Sequence, residues 1–330
     1  MKTLFILALA TLFFQGFAKN STGYSVNSQN EIPIVQTDST YKVVVEKDIV
    51  YAKGLSHESI NSESSREMSL KLDVYLPDNN GKNRPVIMLI HGGGFSGGTK
   101  EHKHIVNMAK YFASRGWVAF SIDYRLRKHK GTLPQEWVDN ASNLAEDRAS
   151  QFLSIYPAIR DAKAAMRWIV ANAKSYNINT NYITVGGGSA GAISAITIGI
   201  SNQEDYRDEL SITQDPTLAT TNLNQTYQVK TLLDFWGGKT GLDILEELYV
   251  KQRFNGSNPA LLIAHGTEDP TVPFSKAEDL KSIYKENEVP YVFYPLEGKG
   301  HGVWGATFDN KRLDELSFDF IVEQQNLIVK

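Results

Sequence analysis

The chain contains no cysteine among its 330 residues. This absence excludes a disulfide framework and a lipid anchor attached to a terminal cysteine. An excess of charge of one sign is also lacking, because 34 basic and 37 acidic side chains leave a formal net charge of −3. Such a balance gives no reason to expect a nucleic acid or an anionic membrane as partner. No internal repeat is present, and the length suits one large domain with an ample core.

The N-terminus carries an almost unbroken apolar run at residues 4–14. This run is shorter than the roughly 20 residues that a membrane-spanning helix needs. Lys2 precedes the run and Ala18 closes the short stretch after it, which is the pattern of a signal peptide cleaved after Ala18. An uncleaved anchor is the alternative. We therefore predict a signal peptide at 1–18 and a secreted or periplasmic protein that has no integral membrane association after cleavage.

The rest of the chain divides into a linker and one domain. Residues 19–40, rich in Ser, Thr, Asn and Gln, are predicted as a flexible linker, and residues 41–330 as the folded domain. Segments 41–52 and 66–76 have the pattern of an antiparallel opening pair. Apolar strand-like runs then alternate with helical stretches, with strands at 85–90, 117–122, 183–185, 260–264 and 291–294 and helices at 103–113, 158–170 and 190–200. This alternation predicts an α/β fold with a mostly parallel sheet and helices on both faces.

Residues 187–191 have the sequence Gly-Gly-Ser-Ala-Gly and lie directly between a predicted strand and a predicted helix. A serine on so tight a turn projects its hydroxyl away from the backbone, and the flanking glycines let neighbouring elements approach closely. The G-x-S-x-G pattern alone arises by chance about one time in ten in a chain of this length. Ser189 is therefore a candidate nucleophile if partners exist, and otherwise a small residue at a turn.

Three further loops follow predicted strands and carry the groups that a serine nucleophile needs: oxyanion donors, an acid and a histidine. Residues 91–95 have the sequence His-Gly-Gly-Gly-Phe, in which the glycines leave backbone N–H groups free to point at a developing oxyanion. Asp269 follows the strand at 260–264, and His301 lies on a glycine-rich loop after the strand at 291–294. Because strand ends of an open α/β sheet border one crevice, serine, acid and histidine in this order predict a catalytic triad.

Several residues compete for these roles. Glu268 and Asp234 are rival acids, and Asp269 itself could be a helix N-cap. Among the other histidines, His91 and His265 open loops and are predicted as structural hydrogen-bonding groups. The remaining histidines lie in polar stretches and are predicted as solvated surface residues, namely His57, His102, His104 and His129. The His102-x-His104 pair lacks further ligands at metal-site spacing, so neither a metal nor an organic cofactor is predicted.

Taken together, these motifs resemble the α/β-hydrolase superfamily over roughly residues 68–325. The HGGG loop is similar to that of the hormone-sensitive-lipase-like, type-B-carboxylesterase-like and feruloyl or acetyl esterases. The resemblance implies an α/β-hydrolase catalytic domain with small lid insertions, and an oxyanion hole made by Gly93, Gly94 and Ala190. It also favours Asp269 as the acid, because family spacing places the acid three residues before Val-Pro. Gly188 and Ala192 depart from lipase-like relatives, which leaves the subfamily open.

The function implied by this resemblance is a secreted serine carboxylesterase that acts on small-molecule or polysaccharide-linked esters without a cofactor. Two insertions, 127–156 and 201–228, are expected to shape the substrate site. Trp137 in the first insertion and Trp304 after His301 are candidate substrate contacts, with plain packing as the alternative for both. A prolyl-oligopeptidase-like serine peptidase is a second possible function, although such enzymes carry a large propeller ahead of the hydrolase domain and only about 70 residues precede the strand at 85–90 here. A non-catalytic binding protein on the same fold is the third.

Overall fold

The computed structural model describes residues 31–330, so the predicted signal peptide at 1–18 and the first part of the predicted linker lie outside the described residues. The described strands are, in chain order, β1 (Ile34–Val35), β2 (Val43–His57), β3 (Ser65–Pro77), β4 (Arg84–Ile90), β5 (Val118–Ile122), β6 (Ile178–Gly188), β7 (Thr231–Phe235), β8 (Ala260–Gly266), β9 (Tyr291–Leu296), β10 (Thr307–Phe308), β11 (Lys311–Arg312) and β12 (Ile328–Val329). The α-helices are α1 (Lys103–Ala113), α2 (Gln135–Ala141), α3 (Glu146–Ala171), α4 (Ala190–Ile200), α5 (Thr240–Tyr249), α6 (Ser275–Glu286) and α7 (Leu313–Gln325). Within residues 31–330, no helix is both long enough and apolar enough to cross a bilayer.

Eight of these strands form one sheet in the order β2-β3-β5-β4-β6-β7-β8-β9. The opening pair β2 and β3 is antiparallel, as predicted, and β3 also runs antiparallel to β5. From β5 onward every pairing is parallel. The predicted mostly parallel sheet is therefore confirmed, and the carboxyl ends of β4 and β6 to β8 lie along one edge.

Strand β4 shows why helices cover both faces of the sheet. All seven of its residues are buried, and successive side chains point to opposite faces. Val86 and its alternate neighbours belong to the apolar cluster that includes α3, α4, α5 and α6. Ile87 and Leu89 belong to a second cluster with α1 and α7. Since each fully buried aliphatic side chain contributes roughly 1.5–3 kcal/mol, these two layers supply most of the driving force for the fold.

The two predicted insertions pack against the rest of the domain. The first contains α2 and the early turns of α3, which begins at Glu146, twelve residues before the predicted start of that helix at 158. The buried Arg125 guanidinium pairs with Asp161 of α3 at 2.7 Å. Asp215 of the second insertion accepts a hydrogen bond from Arg160 of α3 at 2.9 Å. The second insertion is thus attached to α3 by a buried ion pair, and the loop just before the first insertion is attached to the same helix through Arg125.

The start of the domain differs from the prediction. Strand β1 lies within the predicted linker, yet it pairs in parallel with β12 near the C-terminus. Val35 is fully buried in the cluster that contains α1 and α7. The Gln36 N–H donates to the Arg115 carbonyl at 2.9 Å. Residues 34–40 therefore belong to the folded domain, because the buried Val35 and backbone hydrogen bonds to distant segments hold them there.

Candidate active site

Ser189 occupies a sharp turn between β6 and α4. Its backbone has φ 57° and ψ −123°, a strained conformation for a residue other than glycine. The turn is held by the Ser189 N–H, which donates to the Phe235 carbonyl at 2.9 Å. A Cβ atom on Gly191 would lie only 2.1 Å from the Ile90 carbonyl oxygen, so the start of α4 approaches β4 too closely for any side chain there. The glycine pattern is thus a packing requirement of this turn.

The three residues of the predicted triad form one hydrogen-bonded chain. His301 Nε2 lies 2.9 Å from Ser189 Oγ, and His301 Nδ1 lies 2.7 Å from Asp269 Oδ2. A proton on Nδ1 donates to the carboxylate, which leaves Nε2 free to accept the serine proton. The imidazole is one-fifth exposed whereas the Asp269 side chain is fully buried, so the site opens on the serine side.

Asp269 is surrounded by hydrogen-bond donors. Its Oδ1 accepts from the backbone N–H groups of Thr271 and Val272 at 2.8 and 2.9 Å, while Oδ2 faces His301. Burial acts to raise the pKa of Asp269, but the hydrogen bonds from His301, Val272 and Thr271 outweigh it and hold the pKa below its ordinary value. The carboxylate is therefore ionised across the neutral range.

His265 was predicted as a structural hydrogen-bonding group, and its ring does bond the Val272 carbonyl at 2.9 Å. The same Nε2 atom lies 3.3 Å from Asp269 Oδ2, a partner that the sequence pattern alone did not reveal. Burial lowers the pKa of this histidine, so it faces the acid as a neutral ring with its N–H on Nε2. The four-residue spacing from His265 to Asp269, across a tight turn, was the available signal.

The two rival acids have no such partner. Glu268 points outward and is exposed. Asp234, at the end of β7, is fully buried and accepts one hydrogen bond, from the Gly237 N–H at 2.9 Å. Burial raises the pKa of Asp234 to about 7. Neither carboxylate is hydrogen-bonded to His301 in the described part of the chain.

The glycine loop after β4 lies against the serine. Gly93 and Gly94 have φ values of 116° and 58°, and a Cβ atom on Gly93 would lie 2.3 Å from the Gly97 carbonyl oxygen. Within residues 31–330, the N–H groups of Gly93 and Gly94 donate to no carbonyl among the turn and loop hydrogen bonds. Ala190 is the first residue of α4, where a helix leaves its N–H groups unpaired. All three predicted oxyanion donors border the cavity at Ser189.

This catalytic cavity has a volume of about 540 Å³, a size that suits a small organic ligand. Its walls combine the triad face and glycine loop with Trp236, Trp304, His102 and Gln151. Trp304 packs edge-to-face on Trp236 at 4.9 Å and stacks on His104 at 5.6 Å. Trp304 thus lines the cavity, which is the position that its predicted role as a substrate contact requires. Trp236, His102 and Gln151 were not predicted as cavity residues, because no local sequence pattern marks them.

The structure corrects two sets of predictions. Trp137 is a core residue and not a substrate contact, because it is fully buried in α2 against the rings of Phe152, Tyr156 and Tyr206 at 4.7–5.8 Å. His57 is buried rather than solvated, and its ring nitrogens bond Ser62 and Thr132. His102 is exposed as predicted and lines the catalytic cavity. His104 and His129 are half-buried: His104 stacks on Trp304, and His129 accepts from the Leu126 N–H.

Metal ligands do not cluster in the described chain. Between residues 31 and 330, no group of three or more His, Cys, Asp or Glu side chains is placed to hold a metal ion. The rings of His102 and His104 lie 5.6 Å apart, and the contacts of these rings are with each other and with Trp304. What the site offers chemically is a hydroxyl, an imidazole and a carboxylate in line.

Comparison with known proteins gives a family, a curated relative and two structures. A sequence model of the BD-FAE family matches residues 72–152 and 144–253. Esterase LipC of Mycobacterium tuberculosis is 26% identical over 247 residues, which are 67% of this chain and 53% of LipC. The chain spans about half the length of such curated relatives.

Two solved structures share the architecture. The thermophilic esterase Est2 of Thermogutta terrifontis with bound propionate gives a TM-score of 0.58 at 22% identity, covering 84% of this chain and 94% of Est2. A truncated carbohydrate esterase from gut microbiota gives 0.59 at 19% identity, covering 88% of this chain and 99% of its own. At these identities the likeness concerns the fold, which is the α/β-hydrolase fold expected from the motifs.

Proposed function

The chain belongs to the BD-FAE family, and from this membership and the geometry of the site we propose that it is a carboxylic ester hydrolase of the serine type. The observation that carries the proposal is the continuous hydrogen-bonded chain from Ser189 through His301 to Asp269. The unpaired N–H groups of the glycine loop, which border the same cavity, add support. The residues that match the family include the glycine loop and Ser189, while Asp269 and His301 lie beyond the match.

In the proposed reaction His301 Nε2 takes the proton of Ser189 Oγ as the oxygen attacks the ester carbonyl. The carbonyl oxygen becomes an oxyanion and accepts hydrogen bonds from the N–H groups of Gly93, Gly94 and Ala190. Each donor of this kind contributes roughly 3–4 kcal/mol to the transition state. His301 then returns the proton to the leaving alcohol, and an acyl group remains on Ser189. Water, deprotonated by His301, attacks this acyl-enzyme; the bond to Ser189 Oγ breaks, His301 returns the proton to that oxygen, and the acid is released.

Asp269 supports both halves of this reaction. Its hydrogen bond to Nδ1 keeps the imidazole in the tautomer whose Nε2 is basic, and its charge stabilises the imidazolium that forms. The Thr271 and Val272 N–H groups keep the carboxylate ionised and fixed. The acid therefore orients the base and does not itself exchange a proton.

We propose small or carbohydrate-linked acyl esters as the substrates. A cavity of about 540 Å³ that opens at the serine suits a short acyl group attached to a larger alcohol. One structural neighbour is a carbohydrate esterase and another holds propionate, which supports short acyl chains. The apolar run at 4–14 supports a secreted enzyme, and that proposal rests on the sequence pattern alone.

A substrate panel tests this proposal. Purified enzyme is assayed with p-nitrophenyl acetate to octanoate, methyl ferulate, acetylated xylan and a peptide p-nitroanilide. We expect turnover of esters and not of the anilide, and a loss on the order of 10⁴-fold or more in kcat for Ser189→Ala. Ser194→Ala is the matched control, because its hydroxyl bonds only the Ala190 carbonyl within α4. More than a few per cent of residual activity in a folded Ser189→Ala protein, or faster cleavage of the anilide than of any ester, would refute the proposal.

A further inference from the structure

A second cavity of about 570 Å³ adjoins the catalytic cavity. Apolar side chains form much of its wall, namely Leu126, Leu133, Leu153 and Pro157. Three cationic side chains also line it, Arg127, Lys128 and Lys130, against one acidic side chain, Glu146. Three positive charges and one negative charge leave the lining with a formal charge of +2. We call this space the cationic cavity.

The cationic cavity begins where the catalytic cavity ends. Ser96 and Ser150 line the former, while their chain neighbours Phe95 and Gln151 line the latter. At the junction, the position of a Cβ atom on Gly94 would lie 3.7 Å from Ser96 Oγ and 3.8 Å from the Gln151 amide nitrogen. Gly94, which carries no side chain, therefore lies at the boundary between the two cavities.

Arg127 is joined to the glycine loop by a backbone hydrogen bond. The Arg127 N–H donates to the Phe95 carbonyl at 2.8 Å, directly after the oxyanion glycines. This hydrogen bond fixes the backbone of Arg127 relative to the residue that follows Gly93 and Gly94.

The three cations lack acidic partners. Arg125 and Arg160, on the adjacent buried layer, pair with Asp161 and Asp215 at 2.7 and 2.9 Å. No comparable pair within residues 31–330 includes Arg127, Lys128 or Lys130; Lys130 donates instead to the Glu58 carbonyl. The Nε atom of Arg127 is buried and has no acceptor among residues 31–330, while the side chain of Arg127 also lines the cavity. A carboxylate is the acceptor that a guanidinium binds best.

We propose that the cationic cavity binds a carboxylate carried by the ester substrate, remote from the ester bond. The apolar wall would contact the ring or chain that joins the two groups, and Arg127 with Lys128 would bind the charge. This inference rests on the proposed esterase function and narrows its substrates to acidic esters. Glu146 would oppose a second negative charge and so favours a monoanion.

The test compares isosteric esters that differ in one charge. 4-Acetoxybenzoate and 4-acetoxybenzamide carry the difference on the alcohol side, and monoethyl suberate and its amide, ethyl suberamate, carry it on the acyl side. For one of the two pairs we expect a ratio of kcat/KM, carboxylate over amide, of about ten at low salt, as expected for one charge-assisted hydrogen bond. Sodium chloride should reduce this ratio, since it screens charges.

The variants Arg127→Gln and Lys128→Gln should each move that ratio towards one. Arg148→Gln removes the same charge from an exposed position of α3 outside the cavity and should leave the ratio at its wild-type value. Circular dichroism checks that each variant is folded. A wild-type ratio near one for both pairs, or a ratio that both cavity variants leave unchanged, would overturn the inference while neutral esters are still hydrolysed. Absence of turnover for every ester would instead contradict the proposed function itself.

Discussion

Two neighbouring strands of the sheet, β7 and β8, end beside the serine with a buried carboxylate each, and the two carboxylates have opposite environments. Asp269, in the turn after β8, accepts two backbone hydrogen bonds and one from His301. Asp234, at the end of β7, accepts one, from the Gly237 N–H. The pKa of Asp269 lies below its ordinary value, whereas burial raises that of Asp234 to about 7.

The difference comes from the loops and not from the strands. The turn after β8 folds back so that the Thr271 and Val272 N–H groups meet the carboxylate. The turn after β7 directs Trp236 into the catalytic cavity, and Asp234 Oδ2 is left without a partner among the described residues. Position at a strand end therefore makes a carboxylate available, but the number of donors in the following turn decides whether it remains ionised and can orient a base.

The largest expected effect separates the two acids by activity. Asp269→Asn should lower kcat by about 10⁴-fold, because the amide favours the wrong imidazole tautomer. Asp234→Asn should stay within about tenfold of wild type, since Asp234 makes no hydrogen bond to the histidine. Steady-state kinetics on p-nitrophenyl acetate measure both. Equal losses in the two variants would break the comparison.

The next effect is on the free energy of unfolding as a function of pH. Asp234 has a folded pKa of about 7 against an ordinary value of 3.8, so between these values the folded state holds a proton that the unfolded state has lost. The contribution of Asp234 to the free energy of unfolding then falls as the pH rises from about 4 to 7, with a slope of at most about 1.4 kcal/mol per pH unit. Asp269 behaves oppositely, because its lowered pKa stabilises the fold above about pH 4 and that contribution is lost as pH falls further.

Urea unfolding of the two asparagine variants across pH 3 to 8 measures these contributions. Relative to wild type, Asp234→Asn should become more stable as pH rises from 4 to 7. Asp269→Asn should become less stable relative to wild type between pH 3 and 5 and then run parallel to it. Parallel curves for Asp234→Asn and wild type would mean that Asp234 is ionised in the folded protein.

The smallest expected effect on activity comes from His265, a residue that contacts Asp269 and not Asp234. Its Nε2 atom lies 3.3 Å from Asp269 Oδ2, and one such contact contributes about 1 kcal/mol. We expect His265→Leu to lower kcat about fivefold with little change in KM, and His265→Gln, which keeps an N–H donor, to recover part of the loss. The same two substitutions compared in the Asp269→Asn background should have no further effect on kcat, because the carboxylate that they act on is gone.

Much of this site was predictable from the sequence because the relevant signals are local. The predicted bounds of α1 and α4, 103–113 and 190–200, are confirmed, since each helix follows directly from a glycine-containing loop and a clear apolar pattern. Ser189 and His301 lie in glycine-rich turns after strands, and the parallel sheet brings such turns together without any further information.

What the sequence could not predict depends on packing between distant segments. The residues next to Trp137 in the sequence do not distinguish a pocket side chain from a core side chain. Only the contacts with Tyr156 and Tyr206 identify Trp137 as core. The pairing of β1 with β12 joins the two ends of the described chain, which no local pattern reveals. The choice between Asp234 and Asp269 required family spacing, because donor counts become visible only in three dimensions.

The rate at which a fluorophosphonate modifies the enzyme is the measurement that tests the triad most directly, because it reports the nucleophile without a substrate preference. Intact-mass kinetics and peptide mapping are carried out on wild type, Asp234→Asn and Asp269→Asn. We predict one adduct per chain, on Ser189, forming at similar rates in wild type and Asp234→Asn and at least about a hundredfold more slowly in Asp269→Asn. An adduct on any other residue, or equal slowing in the two asparagine variants, would contradict the triad.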